Sequence, residues 1–202
     1  LTGSPDVRIV GNLVAANRSD GHTGAGMWLT AVSGEISRNV IRDNVGGRGI
    51  DVFSSNPLTL TNNLIAGNTY GVSILGNSPG GSWALLANNT IADNEFYGIQ
   101  AMYTTTLAIT NTIVAGHSQG LRLHEPFSGV VTIETSLFWN TSGDPAGAIQ
   151  ADPLLDPLYR PKVGSPALDA GTTLPWLPID LRGRSRPQGS AYDIGAHEGP
   201  GP

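Results

Sequence analysis

The chain repeats a short pattern of asparagine, glycine and aliphatic residues at intervals of 23 to 27 residues. The interval is measured between the polar residues that close successive copies, namely Asn17, Asn44, Asn68, Asn94, His117 and Asn140. Repetition at a nearly fixed interval constrains the fold more than any other feature, because repeat proteins stack similar units into solenoids, propellers or arrays.

Each repeat contains three short segments in which apolar and polar residues alternate, separated by glycine and asparagine turns. The second segment belongs to the asparagine motif, and the third reads glycine, apolar, any residue, apolar, as in Gly71-Val72-Ser73-Ile74. A unit of about 24 residues with three strands is too short for a propeller blade and too rich in strands for a helical repeat. We therefore predict an all-β fold, a right-handed parallel β-helix of about six coils. The handedness follows from the rule for parallel crossover connections.

The closing polar residues have a structural explanation. Asparagine tolerates the left-handed backbone conformation of a tight corner, and stacked asparagine amides can hydrogen-bond in a ladder. We interpret all six closing residues as corner residues, including His117, which replaces asparagine in the fifth copy. The same alignment predicts one internal column of stacked side chains, formed by Ile41, Ile65, Ile91 and Val114.

The composition changes after residue 150, where the repeats stop. Nine of the 14 prolines follow Asp152. We divide the chain into the coils of the solenoid, residues 1–150, and a proline-rich C-terminal cap or strap that packs on the solenoid, residues 151–202. Repeat arrays need such a cap, because the edge of an uncovered coil would recruit another chain.

The last quarter of the chain carries ordered motifs. They are Asp152-Pro153-Leu154-Leu155, Gly164-Ser165-Pro166-Ala167-Leu168-Asp169-Ala170-Gly171, Asp180-Leu181-Arg182-Gly183, Arg186-Pro187 and Asp193-Ile194-Gly195-Ala196-His197-Glu198. This block resembles the C-terminal block of bacterial right-handed parallel β-helix surface and secreted proteins of the choice-of-anchor Q type, and the preceding repeats are similar to those of that family. His197 departs from the pattern, which usually has an aromatic residue there.

This resemblance implies an exported protein that resides outside the cell or on the cell surface. Members of the broader pectate-lyase-like superfamily act on or bind polysaccharides, so polysaccharide is the partner that the resemblance implies. It implies little about chemistry.

Composition excludes several other classes of function. The chain has no cysteine, which rules out disulfides, thiolate zinc sites and cysteine nucleophiles. A net charge of −5 argues against nucleic-acid binding. No apolar run approaches the length of a membrane span. We expect a monomer with neither a nucleic-acid partner nor a membrane span.

The third segment of each repeat supplies a candidate binding face. Aligning the glycine motifs gives a first outward row, Trp28, Asp51, Ser73, Gln100 and Arg122, and a second, Thr30, Phe53, Leu75, Met102 and His124. Neighbouring strands lie about 4.8 Å apart, so each row is continuous on a flat sheet. Aromatic, amide, carboxylate and guanidinium groups suit a sugar-binding groove. The candidate substrate-binding residues are Trp28, Asp51, Gln100, Arg122 and His124.

Several alternatives stay open. The apolar centre of the second row is either an exposed interface or is covered by the C-terminal segment or a loop. Arg122 and His124 share a strand and could serve a polysaccharide lyase or glycoside hydrolase acting on plant or algal polysaccharide. A hydrolase needs two carboxylates at a defined separation, whereas no residue from 52 to 92 is charged.

We assign no catalytic residue. We predict a non-catalytic, extracellular polysaccharide-binding module of a larger protein, with the enzyme and a structural stalk or adhesin as alternatives.

No dense acidic cluster is apparent in the sequence, so we predict no metal site and no cofactor. Asp43 and Asp51 are candidates only singly. Asp169, Asp180 and Asp193 in the C-terminal segment fit local capping of turns, with a calcium ion as the alternative.

Overall fold

The structure, a computed structural model, describes residues 2–20, 26–55, 57–76 and 81–199. Its strands follow one another in coils of three. Coil 1 contains β1 (Val7–Val10), β2 (Leu13–Ala15) and β3 (Met27–Thr30), and coil 2 contains β4 (Gly34–Ser37), β5 (Val40–Arg42) and β6 (Arg48–Phe53). Coil 3 contains β7 (Leu58–Thr61), β8 (Leu64–Ala66) and β9 (Tyr70–Gly76), and coil 4 contains β10 (Ser82–Ala87), β11 (Thr90–Ala92) and β12 (Tyr97–Tyr103).

The last coils shorten toward the C-terminal segment. Coil 5 contains β13 (Thr105–Thr110), β14 (Ile113–Ala115) and β15 (Gln119–His124). The partial coil 6 contains β16 (Val130–Glu134) and β17 (Leu137–Trp139), and β18 (Ile149–Gln150) pairs with β17. The described residues therefore form five complete coils and a partial sixth, close to the six that the repeat count predicts.

Corresponding strands of successive coils pair in parallel and form three sheets. Sheet 1 has the order β1-β4-β7-β10-β13-β16, sheet 2 the order β18-β17-β14-β11-β8-β5-β2, and sheet 3 the order β15-β12-β9-β6-β3. Each sheet turns one face to a common core, so the inward aliphatic side chains of one coil pack on those of the next. The predicted fold class is confirmed.

The centre of sheet 2 shows how register builds this core. The structure aligns Ile41 with Ile65, Ile65 with Ile91, and Ile91 with Val114. All four side chains are fully buried, so the predicted internal column is confirmed. Val14 extends the column at one end and Phe138 at the other.

An asparagine ladder lines the corner between sheets 2 and 3. The side-chain amide of Asn44 donates to Oδ1 of Asn68 over 2.8 Å, and that of Asn68 donates to Oδ1 of Asn94 over 2.9 Å. The backbone N–H of each residue bonds to the same oxygen, so one acceptor satisfies two donors. His117 continues the ladder, because its Nδ1 lies 3.1 Å from the backbone nitrogen of Asn94.

The glycine of the third segment is required by this ladder. A Cβ atom at Gly98 would lie 2.6 Å from the Cδ2 atom of His117, and one at Gly49 would lie 2.9 Å from the Nδ2 atom of Asn68. Only glycine allows the chain to pass this close to the ladder residue of the following coil.

The last predicted corner residue needs a correction. Ala115 pairs with Trp139, so Asn140 lies opposite Gly116, one residue before the ladder position. Asn140 is exposed and has a φ of 52°, a left-handed conformation that asparagine tolerates. Thr141 stands where the other coils have asparagine or histidine, and the ladder of five residues ends at His117.

The C-terminal segment, residues 151–199, has turns and isolated bridges in place of regular strands. It packs on the outer face of sheet 2, where Ala167 and Ile194 contact Ile113 and Leu137. It also provides hydrogen-bond acceptors for side chains at the corner between sheets 1 and 2. The amide of Asn62 donates to the carbonyl oxygen of Ile179 over 2.8 Å.

A buried ion pair within this segment is linked to coil 3 by a hydrogen bond. The Nη1 atom of Arg186 lies 2.8 Å from Oε1 of Glu198, and both side chains are fully buried. The Nη2 atom of Arg186 donates to Oδ1 of Asn62 over 2.9 Å. Removing one partner of such a pair typically costs about 3–5 kcal/mol, because the other charge is left uncompensated.

Candidate functional site

Sheet 3 brings the predicted first row together in register. Trp28 pairs with Asp51, Asp51 with Ser73, Ser73 with Gln100, and Gln100 with Arg122. The side chains of this row point away from the core, because their neighbours along each strand, such as Ile50 and Val52, are completely buried inside it. His124 lies in the second row, opposite Met102.

The alternation predicts that every side chain of the row is exposed on a flat open face. The structure shows that exposure differs along the row. Trp28 at one end is 58% exposed, and Arg122 at the other end is also exposed. Between them, Asp51, Ser73 and Gln100 are buried although they lie on the outward side of the sheet. The centre of the row is therefore covered, and only its ends are open to solvent.

A further column of side chains lies beside the buried centre of the row, and the sequence analysis did not predict it. It consists of the residues just before each glycine: Arg48, Tyr70, Tyr97 and Gln119. Tyr70 stacks on Phe96 with a centroid distance of 5.0 Å and lies 4.7 Å from the ring of Tyr97. The signal was available, because the position before the glycine repeats as regularly as the positions after it.

Arg48 connects this column to the buried centre of the first row. Its Nε atom donates to the hydroxyl of Tyr97 over 3.2 Å, and its Nη1 atom lies 3.3 Å from Oδ2 of Asp51. Its guanidinium carbon lies 5.9 Å from the centre of the Tyr70 ring, within reach of a cation–π interaction. One guanidinium thus binds a carboxylate, a phenol and an aromatic face.

Burial controls the protonation of this cluster. It raises the pKa of Asp51, and the charge of Arg48 together with the Ser73 side chain opposes the rise. Burial also raises the pKa of Tyr97, and Arg48 opposes that rise as well. A phenol with a raised pKa stays protonated at neutral pH, so Tyr97 can donate a hydrogen bond but is a poor general base.

Oε1 of Gln100 and Nδ1 of His124 are buried in sheet 3 without a hydrogen-bond partner. Buried polar groups in folded proteins are nearly always paired, so each unpaired atom needs an explanation. Gln100 belongs to the buried centre of the first row, where a ligand hydroxyl could supply the missing hydrogen bond.

The second row has an apolar centre, as its sequence indicates. Phe53 and Leu75 are half-buried, and Met102 is buried. The C-terminal segment contacts sheet 2 and the corner before it, on another side of the solenoid. These contacts therefore do not account for the burial of the second row.

The carboxylates of the C-terminal segment cap backbone groups. Asp180 accepts hydrogen bonds from the N–H groups of Arg182, Arg184 and Glu198. Asp193 accepts from the N–H of Asp169, and Asp169 accepts from that of Ala191. Within residues 2–20, 26–55, 57–76 and 81–199, no three or more His, Asp or Glu side chains are grouped to hold a metal ion. Asp43 forms an exposed ion pair with Arg42.

In the part of the chain that the structure describes, no helix is long and apolar enough to cross a membrane.

Comparison with known proteins supports the architecture. Residues 3–82 match the sequence model of a family described as the right-handed β-helix region. No curated protein and no solved structure matches the chain. The matched residues contain all nine strands of coils 1 to 3, and the same three sheets continue through coil 5. The chain folds as a right-handed parallel β-helix.

Proposed function

We propose that this chain is a non-catalytic polysaccharide-binding module of an extracellular or cell-surface protein, with the outer face of sheet 3 as its binding site. The observation that carries the proposal is the row with Trp28 and Arg122 exposed at its two ends. Four strand spacings separate them, roughly 19 Å at the usual distance between neighbouring strands. A polymer laid along the solenoid axis could contact both ends.

The chemistry of the row fits a glycan. The indole ring of Trp28 offers a flat apolar surface for the C–H face of a pyranose, and Arg122 offers several N–H donors for hydroxyl or carboxylate oxygens. The unpaired Oε1 atom of Gln100 could accept a hydrogen bond from a sugar hydroxyl if the groups that cover the row move aside to admit the chain. The parallel sheet holds these groups at fixed spacing.

Binding without turnover is the better supported activity. Asp51 is paired with Arg48, and the row contains no second carboxylate that could act with it as in a hydrolase. Tyr97 would need a lowered pKa to act as the base of a lyase, whereas burial raises its pKa. Neither Asp51 nor Tyr97 is therefore poised as a catalytic base, and the enzyme alternative rests on His124 alone.

Affinity electrophoresis against a panel of plant and algal polysaccharides tests the proposal. We expect retarded migration of the parent on at least one polysaccharide, and about tenfold weaker retention after Trp28→Ala or Arg122→Ala, because tryptophan and arginine dominate binding hot spots. Trp83→Ala is the matched control, since Trp83 is 37% exposed on sheet 1 and lies outside the proposed face.

Three results would contradict the proposal. Equal loss after Trp83→Ala and Trp28→Ala would move the site away from sheet 3. No retention of the parent on any polysaccharide would favour the stalk or adhesin. Ultraviolet-absorbing unsaturated products, or new reducing ends, would establish an enzyme instead.

A further inference from the structure

A cavity lies where the C-terminal segment meets the first coils of sheet 2. Its volume is about 500 Å³, within the range of small-molecule sites. Strands β2, β5 and β8 form one wall, and residues 157–160, 181–182 and 197 form the other. The cavity is on the opposite side of β2, β5 and β8 from the core, and it does not include the residues of the sheet 3 row.

Four of the ten arginines of the chain line this cavity: Arg38, Arg42, Arg160 and Arg182. Arg42 is paired with Asp43 at 3.3 Å, and Arg160 is paired with Asp156 at 2.6 Å. Within the described residues, the guanidinium groups of Arg38 and Arg182 take part in no ion pair. The cavity therefore has an excess of positive charge in a chain whose net charge is −5.

His197 is the buried polar group of the cavity. It is only 5% exposed, and neither of its ring nitrogens has a hydrogen-bond partner. Burial lowers its pKa to about 4; Asp180 opposes this shift, and Arg182, Arg160 and Arg186 add to it. The ring is neutral at pH 7, with one nitrogen able to donate a hydrogen bond and the other able to accept one.

The rest of the lining is largely apolar and surrounds the charged groups. Tyr159 contributes a ring, and the aliphatic side chains come from both walls: Leu13, Val40, Leu64, Leu158 and Leu181. An inorganic anion would use the arginines and leave this apolar surface unused. A neutral sugar would leave Arg38 and Arg182 without a counter-charge. A ring-sized molecule with both an apolar face and a carboxylate matches both parts of the lining.

We propose that this cavity binds a cyclic organic carboxylate, whose carboxylate is held by Arg38 and Arg182 and whose ring lies on the aliphatic lining beside His197. Two kinds of molecule share this chemistry, a uronic acid with a hydroxylated ring and an aromatic acid. The imidazole of His197 favours the uronic acid, because a ring hydroxyl would satisfy one of its unpaired nitrogens. The proposal does not rest on glycan binding by sheet 3.

Isothermal titration calorimetry of the full chain with four probes tests the proposal. The probes are D-galacturonate, benzoate, D-galactose and inorganic phosphate. We expect D-galacturonate to bind more tightly than benzoate, with a shift of the His197 ring signals in NMR spectra and a rise in melting temperature, because a ligand of the native state stabilises it. D-Galactose and phosphate should bind at least tenfold more weakly than D-galacturonate.

Charge-removing variants locate the site. Arg38→Gln and Arg182→Gln should each weaken D-galacturonate binding at least tenfold, whereas Arg8→Gln, at an exposed arginine of sheet 1 outside both proposed sites, should leave it unchanged. Arg182 lies in an exposed turn, so Arg182→Gln keeps the test decisive if Arg38→Gln does not fold.

Each remaining outcome has a defined meaning. Tighter binding of benzoate that still depends on Arg182 would support the cavity as the binding site and would identify its ligand as an aromatic acid. The proposal fails if neither carboxylate binds, if phosphate binds as tightly as D-galacturonate, or if Arg182→Gln has no effect. An Arg122→Gln variant that alone loses binding would place the carboxylate on sheet 3 instead.

Discussion

His117 occupies a position that the four preceding coils give to asparagine, and its two ring nitrogens reproduce the bonds of the amide. Nε2 lies 3.1 Å from the carbonyl oxygen of Ile91, as Nδ2 of Asn94 lies 3.1 Å from that of Ile65. Burial lowers the pKa of His117, and its contacts with the backbone of Asn94 and Ile91 oppose this shift. The imidazole therefore acts as a neutral corner group, as its place in the repeat predicts.

Two buried neutral histidines make stability depend on pH. The folded-state pKa of His197 is about 4, and that of His117 is also lowered, while an unfolded histidine titrates near its ordinary value of 6.5. Between these values the unfolded chain binds more protons, so this part of the stability is present above pH 6.5 and is lost as the pH falls toward 4. For His197 the loss at pH 4 is about 3 kcal/mol.

Chemical denaturation of the parent and His197→Phe from pH 7 to pH 4 measures this loss. We expect the variant to gain about 3 kcal/mol relative to the parent over that range, because phenylalanine takes up no proton. His117→Asn should show a gain of the same sign. Comparing variants with the parent cancels the opposite contribution of Asp51 and Glu198, whose pKa values burial raises. Parallel curves for all three proteins would contradict the assignment.

The sequence predicts which residues form the first outward row of sheet 3. It does not predict that the central residues of this row are buried. The repeat alignment places Asp51 and Gln100 in one outward row, and the register confirms that placement. Their burial depends on side-chain packing, such as the contact of Arg48 with the Asp51 carboxylate, which periodicity does not encode. The row of Arg48 repeats just as regularly, so alignment of that position would have revealed the cluster.

Among the elements, the strands of sheet 2 are the shortest, and those of coils 3 to 5 are buried at every residue. Each full-coil strand has three residues, and in β8 and β14 all three are buried. The middle residue faces the core, and the outer residues of these strands face the C-terminal segment. A strand covered on both faces reads as a continuous apolar run, as Leu64-Ile65-Ala66 does.

Ile65→Asp tests the internal column of this sheet. The carboxylate would lie unpaired between Ile41 and Ile91, where no water or cation reaches it. We expect a loss of several kcal/mol in unfolding free energy by urea denaturation, or loss of soluble protein. Thr59→Asp is the control, because Thr59 lies half-buried on the outer side of sheet 1. A soluble Ile65→Asp variant with the melting temperature of the parent would contradict the coil alignment.

The sequence did not predict which of the three sheets the C-terminal segment covers. Periodicity alone identifies which residues face outward, and it does not say which outward face meets another part of the chain. The apolar outer residues Leu64, Ile113 and Leu137 carried the signal, because an outward leucine in the middle of a solenoid needs a cover. The corresponding rows of sheet 3 mix polar and apolar residues, which agrees with a face that the C-terminal segment leaves to other contacts.

In the whole molecule, the C-terminal segment joins coils 3 to 6 along one side. Asn62, Asn88 and Asn111 donate side-chain hydrogen bonds to its carbonyl oxygens. Gly195 donates its backbone N–H to the carbonyl oxygen of Asn111, and Ala196 donates to the hydroxyl of Thr90. These bonds replace the water that would otherwise solvate the corners and outer face of these coils.

Deleting residues 151–202 should expose this surface. Leu64, Ile113 and Leu137 would face solvent, and the three asparagine amides would lose their acceptors. We expect aggregation or a clearly lower melting temperature of the 1–150 fragment, measured by light scattering and circular dichroism. Val163→Ser is the control, since Val163 is 85% exposed in the same segment. A monomeric fragment with the stability of the parent would show that the coils do not depend on this segment.

Separation along the chain sets an order of assembly. Hydrogen-bonded partners in neighbouring coils, such as Val32 with Ser55 or Thr105 with Ile74, lie 23 to 31 residues apart. The bonds of the C-terminal segment to coils 3 and 4 join residues 105 to 124 positions apart. Closing a longer loop costs more entropy, so nearby pairings form first. During synthesis the coils can form one upon another from the N-terminal end, and Arg186 reaches Asn62 only after every intervening coil has emerged.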